Sequence, residues 1–496
     1  METPKNFEEI LKIEDIEEKI SYLKKGRRTP LPDTAQNYKD WNPKFHAIND
    51  ESKYPKVKVL IRKEEKKGYE DANGEWHTTT EPAKVELKDP NRIALPIEQD
   101  IVNIQTSFAV GTEPTLECNP KDDAESGLLM AVKKTLSRNK MKFQNRKEVR
   151  AWLAEQDVAE YWYTVKDKSF WSKIKKAMAS LFNLNVMPDT HLRCQIWSPF
   201  LGDTIYPFYD ENGDYKACSR EYKIKDYDGN EVIHFMCVTE TNVYVWKQGT
   251  SGWEIVPEKT FEHKLPSVPV MYAYNKETYA AKIRPQRERL EKCLSGYADC
   301  IDYHFFPKLL LFGELQNMFG TDARNQMLQL ENGAEARYLT WNQAADPIKV
   351  EIETYFNQIY ALTNTPRISF DQLKGIGNAL SGTAFRYFFM AAHMAVRNHE
   401  EVLGEFFQRR INFLVSALGS LSVSFKEASQ TIDIETELVP FIIDSTDDRV
   451  STSVKAVSGG VWSLEHGVAY CSEFGETKDE VEKIIDEQKD TASNKA

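Results

Sequence analysis

The sequence is poor in the residues that build catalytic and metal centres. It has nine histidines and seven cysteines among 496 residues, with no Cys-x-x-Cys pair and no regular cysteine spacing. That excludes a disulfide framework and points to a reducing interior. Cys293 and Cys300, seven apart on one helix face, read as two packed core thiols. The chain has no Gly-x4-Gly-Lys-Ser/Thr, which excludes a phosphate-binding loop of the ATPase type. Gly375-Ile-Gly377 follows no strand and lacks the third glycine of a dinucleotide loop. His399-Glu-Glu-Val-Leu403 lacks the second histidine of a zinc-protease helix, and no Gly-x-Ser-x-Gly occurs. Asp444, Asp447 and Asp448 could hold a divalent ion, but helix capping explains them better. With no catalytic, cofactor or metal constellation, the chain reads as a non-enzyme.

A surplus of positive charge is missing as well. Lys and Arg number 64 against 76 Asp and Glu, a net charge of −12. Grip on nucleic acid over the whole surface comes from cations neutralising phosphates, so that mode is excluded, while local contact is not. Long apolar runs are absent too. The most apolar stretch, 384–396, contains Arg386 and His393 and is too short to span a bilayer, so no membrane association is expected. The first residues are acidic and have no apolar centre, which argues against a signal peptide.

What is present predicts an α+β fold. Residues 7–25 read as an amphipathic helix ended by Gly26, and the polar, proline-punctuated stretch to residue 50 as an extended arm or linker. Residues 57–62 and 76–80 alternate like strands on either side of Asn73-Gly74, a strong turn signal. Residues 122–182 read as helical and basic, with eight Lys or Arg between Lys133 and Arg150: either a solvated helix surface or a face for DNA or a partner. Residues 190–272 form a β-meander with turns at Asn212-Gly213, Asp228-Gly229 and Gly249–Gly252, and residues 284–304 a helix. Strand-like 308–312 and 336–340 follow. After the meander the chain is organised around 348–418: an amphipathic run over 348–362, a stop at Pro366, a loop rich in Gly, Asn and Ser, and a proline-free helical run from about Thr383 to Leu418. Residues 432–443 read as a strand, and the remainder as short helices ending in an acidic one over 476–488 and a tail.

This order resembles the portal, or head-to-tail connector, proteins of tailed bacteriophages. The resemblance rests on Ser267-Val-Pro-Val-Met-Tyr-Ala-Tyr274, on the helix from Ile283 to Asp302, on Asn364-Thr-Pro-Arg367, on Ala379-Leu-Ser-Gly-Thr383 and on Ala456-Val-Ser-Gly-Gly-Val-Trp-Ser-Leu-Glu465. It covers roughly 120–490. It implies a portal-like protomer: N-terminal arm 1–50, a β-rich and helical wing 51–282, stem helix 283–303, a small α/β clip 304–347, second stem helix 348–364, tunnel loop 365–381, long helix and wing return 382–444, and a helical crown with tail 445–496. It also implies a homo-oligomeric ring, usually of twelve subunits, at one capsid vertex of the virion, assembled in the host cytoplasm. Double-stranded genome DNA would pass through it during packaging and ejection. Its partners would be the terminase motor, the head-completion or tail adaptor, and capsid and scaffolding proteins.

On this mapping Arg367, Gln372, Lys374, Asn378 and Ser381 would meet DNA in the tunnel loop, and Lys308, Arg324 and Arg337 would meet partners in the clip. The loop's sparse cations suit weak backbone contact with a moving duplex. Trp246, Trp253 and Tyr303 would serve either a ring interface or ordinary core packing. Two rival readings remain: another virion structural protein, such as a minor head or baseplate component, and a DNA-processing motor subunit using the basic 133–150 segment.

Overall fold

The computed structural model describes residues 6–62, 65–70, 76–81, 84–166, 190–225, 229–304, 308–312, 315–319, 327–330, 335–339, 345–367, 389–441, 446–471 and 481–486. The fold is α+β. The chain opens with α1 (Phe7–Lys12), α2 (Ile16–Lys25) and α3 (Thr34–Trp41). The expected single helix over 7–25 is two, because Asp15 caps α2 by accepting a hydrogen bond from the Glu17 amide. Four strands follow: β1 (Val57–Arg62), β2 (Glu65–Glu70), β3 (Trp76–Glu81) and β4 (Lys84–Lys88). Next come α4 (Ile97–Val110), β5 (Thr115–Glu117), α5 (Asp123–Arg138) and α6 (Met141–Glu155).

The β-rich middle holds β6 (Asp157–Lys166), β7 (Thr190–Trp197), β8 (Thr204–Tyr209), β9 (Tyr215–Lys225), β10 (Glu231–Thr239), β11 (Asn242–Gly249), β12 (Gly252–Ile255), β13 (Phe261–Glu262) and β14 (Val270–Tyr274). The meander forms one antiparallel sheet in the order β12-β11-β10-β9-β8, with β13 beside β11, while β14, β6 and β7 form a second. Its turns use Gly213, Gly229 and Gly252 at positive φ, as their dipeptides anticipate. The rest is α7 (Tyr279–His304), β15 (Lys308–Phe312), β16 (Leu315–Phe319), β17 (Met327–Leu330), β18 (Glu335–Leu339), α8 (Ala345–Leu362), α9 (Met390–Leu421), α10 (Ala428–Thr431), β19 (Glu435–Glu437), α11 (Thr446–Ser458) and α12 (Leu464–Cys471).

Packing stacks these elements in layers. Ile10, Ile20 and Leu23 of α1 and α2 cover one face of the meander at Phe208, Phe235 and Trp246. The contact is close: a Cβ on Gly26 would lie 1.9 Å from the Phe208 ring. The other face packs Ile205, Val238 and Val245 against Ala159, Tyr161 and Tyr272 of the second sheet. That sheet turns Val158, Trp162, Met271 and Ala273 towards the helical core of α4, α5, α6 and α9. Because the first six residues of β6 are buried on both faces, that part of its sequence carries no alternation. That is why 157–166, expected to be helical, is a strand.

Other expectations also change. Residues 33–50 are not an extended linker: they form α3 and two short 3-10 turns and bury Asp40 and His46. Trp246 is core, packed with Phe235, and Trp253 is partly buried beside it, while the Tyr303 side chain lies outside the described residues. Cys300 is exposed and Cys293 partly buried, so they are not two core thiols. Among the described residues, the strand expected over 432–443 is confined to β19, which pairs with β5. Helix α9 spans 32 residues, about 48 Å at 1.5 Å per residue; the expected start near Thr383 lies outside the described residues. Residues 481–486 are helical, as expected of the acidic segment. Among the described residues no helix is long and apolar enough to cross a membrane.

Candidate channel and docking elements

The region expected to carry function is built on the pair α7 and α8, which pack along each other. Arg289 on α7 reaches Glu351 on α8 at 2.6 Å, and the Cys293 thiol lies 3.8 Å from the same carboxylate. Between the helices the chain makes a long hairpin. Lys308 pairs with Leu339 and Phe312 with Glu335, and the register then slips by one or two positions into the pairing of β16 with β17. Lys308 and Arg337 sit two rungs apart on this ladder; Arg324 lies outside the described residues.

The first half of α7 is fixed by a buried charge network. Arg287, 1% exposed, donates to Glu98 at 2.6 Å and lies 3.3 Å from Asp40. Arg284 binds Asp40 with two nitrogens. One turn on, Glu291 accepts from the Leu95 amide and meets His46 Nδ1 at 2.6 Å. Burial pushes the Glu98 carboxyl up to about 7 against the pull of Arg287. Burial, the largest influence, opposes the charged form of His46, but the Glu291 hydrogen bond and charge together with the Asp40 carbonyl raise its pKa. Segments near residues 40, 46 and 95 thus hold one face of α7. Sequence reading missed this because the partners lie about 200–250 positions apart. The only cue was Arg and Glu spaced three and four apart along that helix.

The end of α8 is the foot of the expected loop. Asn364 has φ +49°, and Pro366 follows. The Gln105 amide of α4 donates to the Thr363 carbonyl at 3.1 Å, the Asn364 carbonyl at 3.2 Å and Thr365 Oγ1 at 2.9 Å. Arg367 folds back onto α8, with its guanidinium 4.9 Å from the Phe356 ring centre. Gln372, Lys374, Asn378 and Ser381 lie outside the described residues. The exposed side of α8 runs through Lys349, Val350, Glu353, Thr354, Asn357, Gln358 and Ala361, with Lys349 as its one cation.

The basic 133–150 segment is largely used within the protomer. Arg146 donates to the Gly111 carbonyl, Arg150 to Asn103, Lys142 faces Glu113 at 3.7 Å, and Arg138 meets His191. Lys133, Lys140 and Lys142 rim a cavity of about 660 Å³ whose wall includes Leu136, Phe407 and Ile411. Below it, Arg410 of α9 binds Glu160, Glu148 and Asn145. Glu148, Glu160 and Cys194 are clustered closely enough to suggest metal ligands, but the Arg410 guanidinium already engages both carboxylates. Burial and the neighbouring Glu160 push Glu148 upward.

Residues 47–494 match the family model described as phage portal protein, SPP1 Gp6-like. The chain belongs to this portal family. The family is structural and non-enzymatic, which accords with the missing catalytic motifs, and membership implies an oligomeric ring in a phage capsid. The match begins at residue 47, well before the start near residue 120 that the sequence resemblance gave, and so takes in β1–β4 and α4. No curated protein matches the chain. Among solved structures it is similar to a chain of "Virion of native gene transfer agent (GTA) particle", at 9% identity and a TM-score of 0.36, covering 75% of this chain and 88% of that one. A likeness at that level carries neither fold nor function to this chain.

Proposed function

We propose that the chain is the protomer of a portal ring at one capsid vertex. The ring conducts double-stranded genome DNA during packaging and ejection and docks the terminase motor and then the tail adaptor. The observation that carries this reading is the family match over 47–494. The order helix, hairpin, helix, clamped loop foot and long helix supports the assignment of α7 and α8 as stem helices, 304–347 as clip, 365–381 as tunnel loop, 382–444 as long helix and wing return, and 445–496 as crown and tail. Residues 51–282 are then the wing, and capsid and scaffolding proteins meet its outer parts.

A channel must let DNA slide. The exposed side of α8, with the single cation Lys349, and the net charge of −12 supply little phosphate grip, so duplex is guided without being held. Lys374 then supplies a weak backbone contact in the loop. Electron microscopy and mass photometry of the purified protein test the reading. Rings with a central hole and a mass near twelve protomers support it, and a monomer at micromolar concentration overturns it. In the phage, Lys374→Ala assembles normally but alters packaging or genome retention; unchanged packaging rate and retention refute the loop assignment.

A further inference from the structure

The strands β1–β4 are one long hairpin. Val57 faces Lys88, Leu60 faces Val85, Glu65 faces Glu81 and Glu70 faces Trp76, with a single slip of register at Leu60–Arg62. At about 3.3 Å per residue the arm reaches roughly 45 Å. Among the described residues neither strand pair has a third strand beside it, and the strands pack chiefly against each other. Large apolar side chains stand in solvent along it: Val57 at 54%, Trp76 at 74%, Val85 at 50% and Leu87 at 62% exposure. An isolated two-stranded hairpin is marginal in water, and two open edges invite a further strand.

The root of the arm is firmly held. Asn91 donates its amide and side-chain nitrogens to Asp299 at 2.9 Å and its side chain to Asp302 at 2.8 Å, near the end of α7. The Ile93 amide donates to Ser295 at 3.0 Å. A rigid base under an uncovered arm is the arrangement of a docking element. Over 57–88 there are seven Lys or Arg and seven Asp or Glu, so the arm has no charge bias towards DNA. Its strands hold as many residues as one side of a standard protein interface, about 20–30.

We infer that the 57–88 hairpin is a ring-closing arm that lies on the neighbouring copy of this chain. The inference rests on the ring proposed above. A cyclic assembly needs two different patches on each subunit, and a protruding arm with its receiving surface is such a pair. The neighbour is favoured over the motor or the adaptor because the arm needs cover throughout the life of the ring, and those partners replace one another.

The test compares the full chain with a variant in which residues 57–88 are replaced by two glycines. The ends are close enough for this, since Lys56 and Asp89 form an ion pair at 3.2 Å. A gentler variant, Leu87→Lys, changes one exposed residue and should leave the circular dichroism and Tm of the protomer unchanged. Mass photometry over a dilution series should show both variants shedding protomers at concentrations at least about tenfold above those at which full-chain rings persist, about 1.4 kcal/mol. A photo-crosslinker at position 87 should join two copies. Full-length rings with equally stable variant rings overturn the inference and leave the ring reading standing. Stable variant rings that no longer bind purified adaptor also overturn it, by assigning the arm to the adaptor. Absence of rings from the full chain itself overturns the ring reading and the inference with it.

Discussion

The chain carries two long hairpins rooted at the same end of α7, and they differ in how they are held. The second, β15–β18, leaves α7 directly and returns through α8, so a helix anchors each of its ends. The first, β1–β4, is joined to α7 only across space, through Asn91 and Ile93 on Asp299, Asp302 and Ser295. Covalent continuity fixes one hairpin, and a few hydrogen bonds fix the other. The difference teaches that a protruding hairpin can be placed by its root alone, and that such an attachment leaves little trace in local sequence.

The sharpest way to break this comparison is to remove the second hairpin. Lys308 faces Leu339, so a short turn can replace 308–339 without moving the flanking helices. If the two hairpins have separate duties, this variant still forms rings but binds the packaging motor about a hundredfold more weakly, as expected when the central contacts of an interface are lost. Binding assays with purified motor check this, and motor affinity equal to that of the full chain refutes the clip assignment.

The shared root comes next. Arg287→Ala leaves Glu98 buried without its cation and Asp40 with Arg284 alone, which should cost about 3 kcal/mol in chemical denaturation. Both hairpins should loosen together, because both depend on α7. Loss of ring formation with retained motor binding would show that they do not share a root.

How much of this was legible can be argued element by element. Helix α8, the start of the β15–β18 ladder and the meander turns were readable because each is encoded locally: a 3.6 period, an alternating run, a glycine at positive φ. Strand β6 was missed because burial on both faces removes alternation. The charge network on α7 was missed because Asp40, Glu98 and His46 are brought together only by tertiary folding. Asn73-Gly74 correctly suggested a hairpin, but residues 57–62 pair with 84–88, and 76–81 with 65–70, so its length was underestimated. Of the candidate site, Arg367 is stacked on Phe356, and Lys308 and Arg337 lie on one ladder.

The far end of α7 supplies a control that should leave both hairpins alone. There the Tyr279 hydroxyl meets His399 Nε2 at 3.0 Å beside Trp152, and burial holds the His399 pKa down to about 4. A depressed histidine pKa stabilises the fold above the unfolded value near 6.5, and that contribution is lost as pH falls through about 4. Partial exposure reduces the effect to on the order of 2 kcal/mol. Glu98, raised to about 7, has the opposite sign: its contribution is present below about 4.5 and lost as pH rises through 7. Comparing Tm against pH for the native chain and His399→Gln cancels the Glu98 part. The variant should lose less Tm between pH 6.5 and 4; parallel curves would remove His399 from the account.

The smallest effect is the most discriminating. Asn91→Ala removes the side-chain hydrogen bonds to Asp299 and Asp302 but keeps the Asn91 amide bond to Asp299 and the Ser295 bond to Ile93. The protomer should lose about 1 kcal/mol, because both carboxylates lie near the surface and water can replace the amide. If the first hairpin is aimed by its root, ring dissociation should rise by more than that loss accounts for, since a small tilt at the base is magnified along an arm of roughly 45 Å. If the second hairpin is the motor's docking element, motor binding should not change. Mass photometry and motor binding on the same preparation therefore separate an arm held by hydrogen bonds from one held by the chain. Equal changes in both readouts would erase the distinction between the two hairpins.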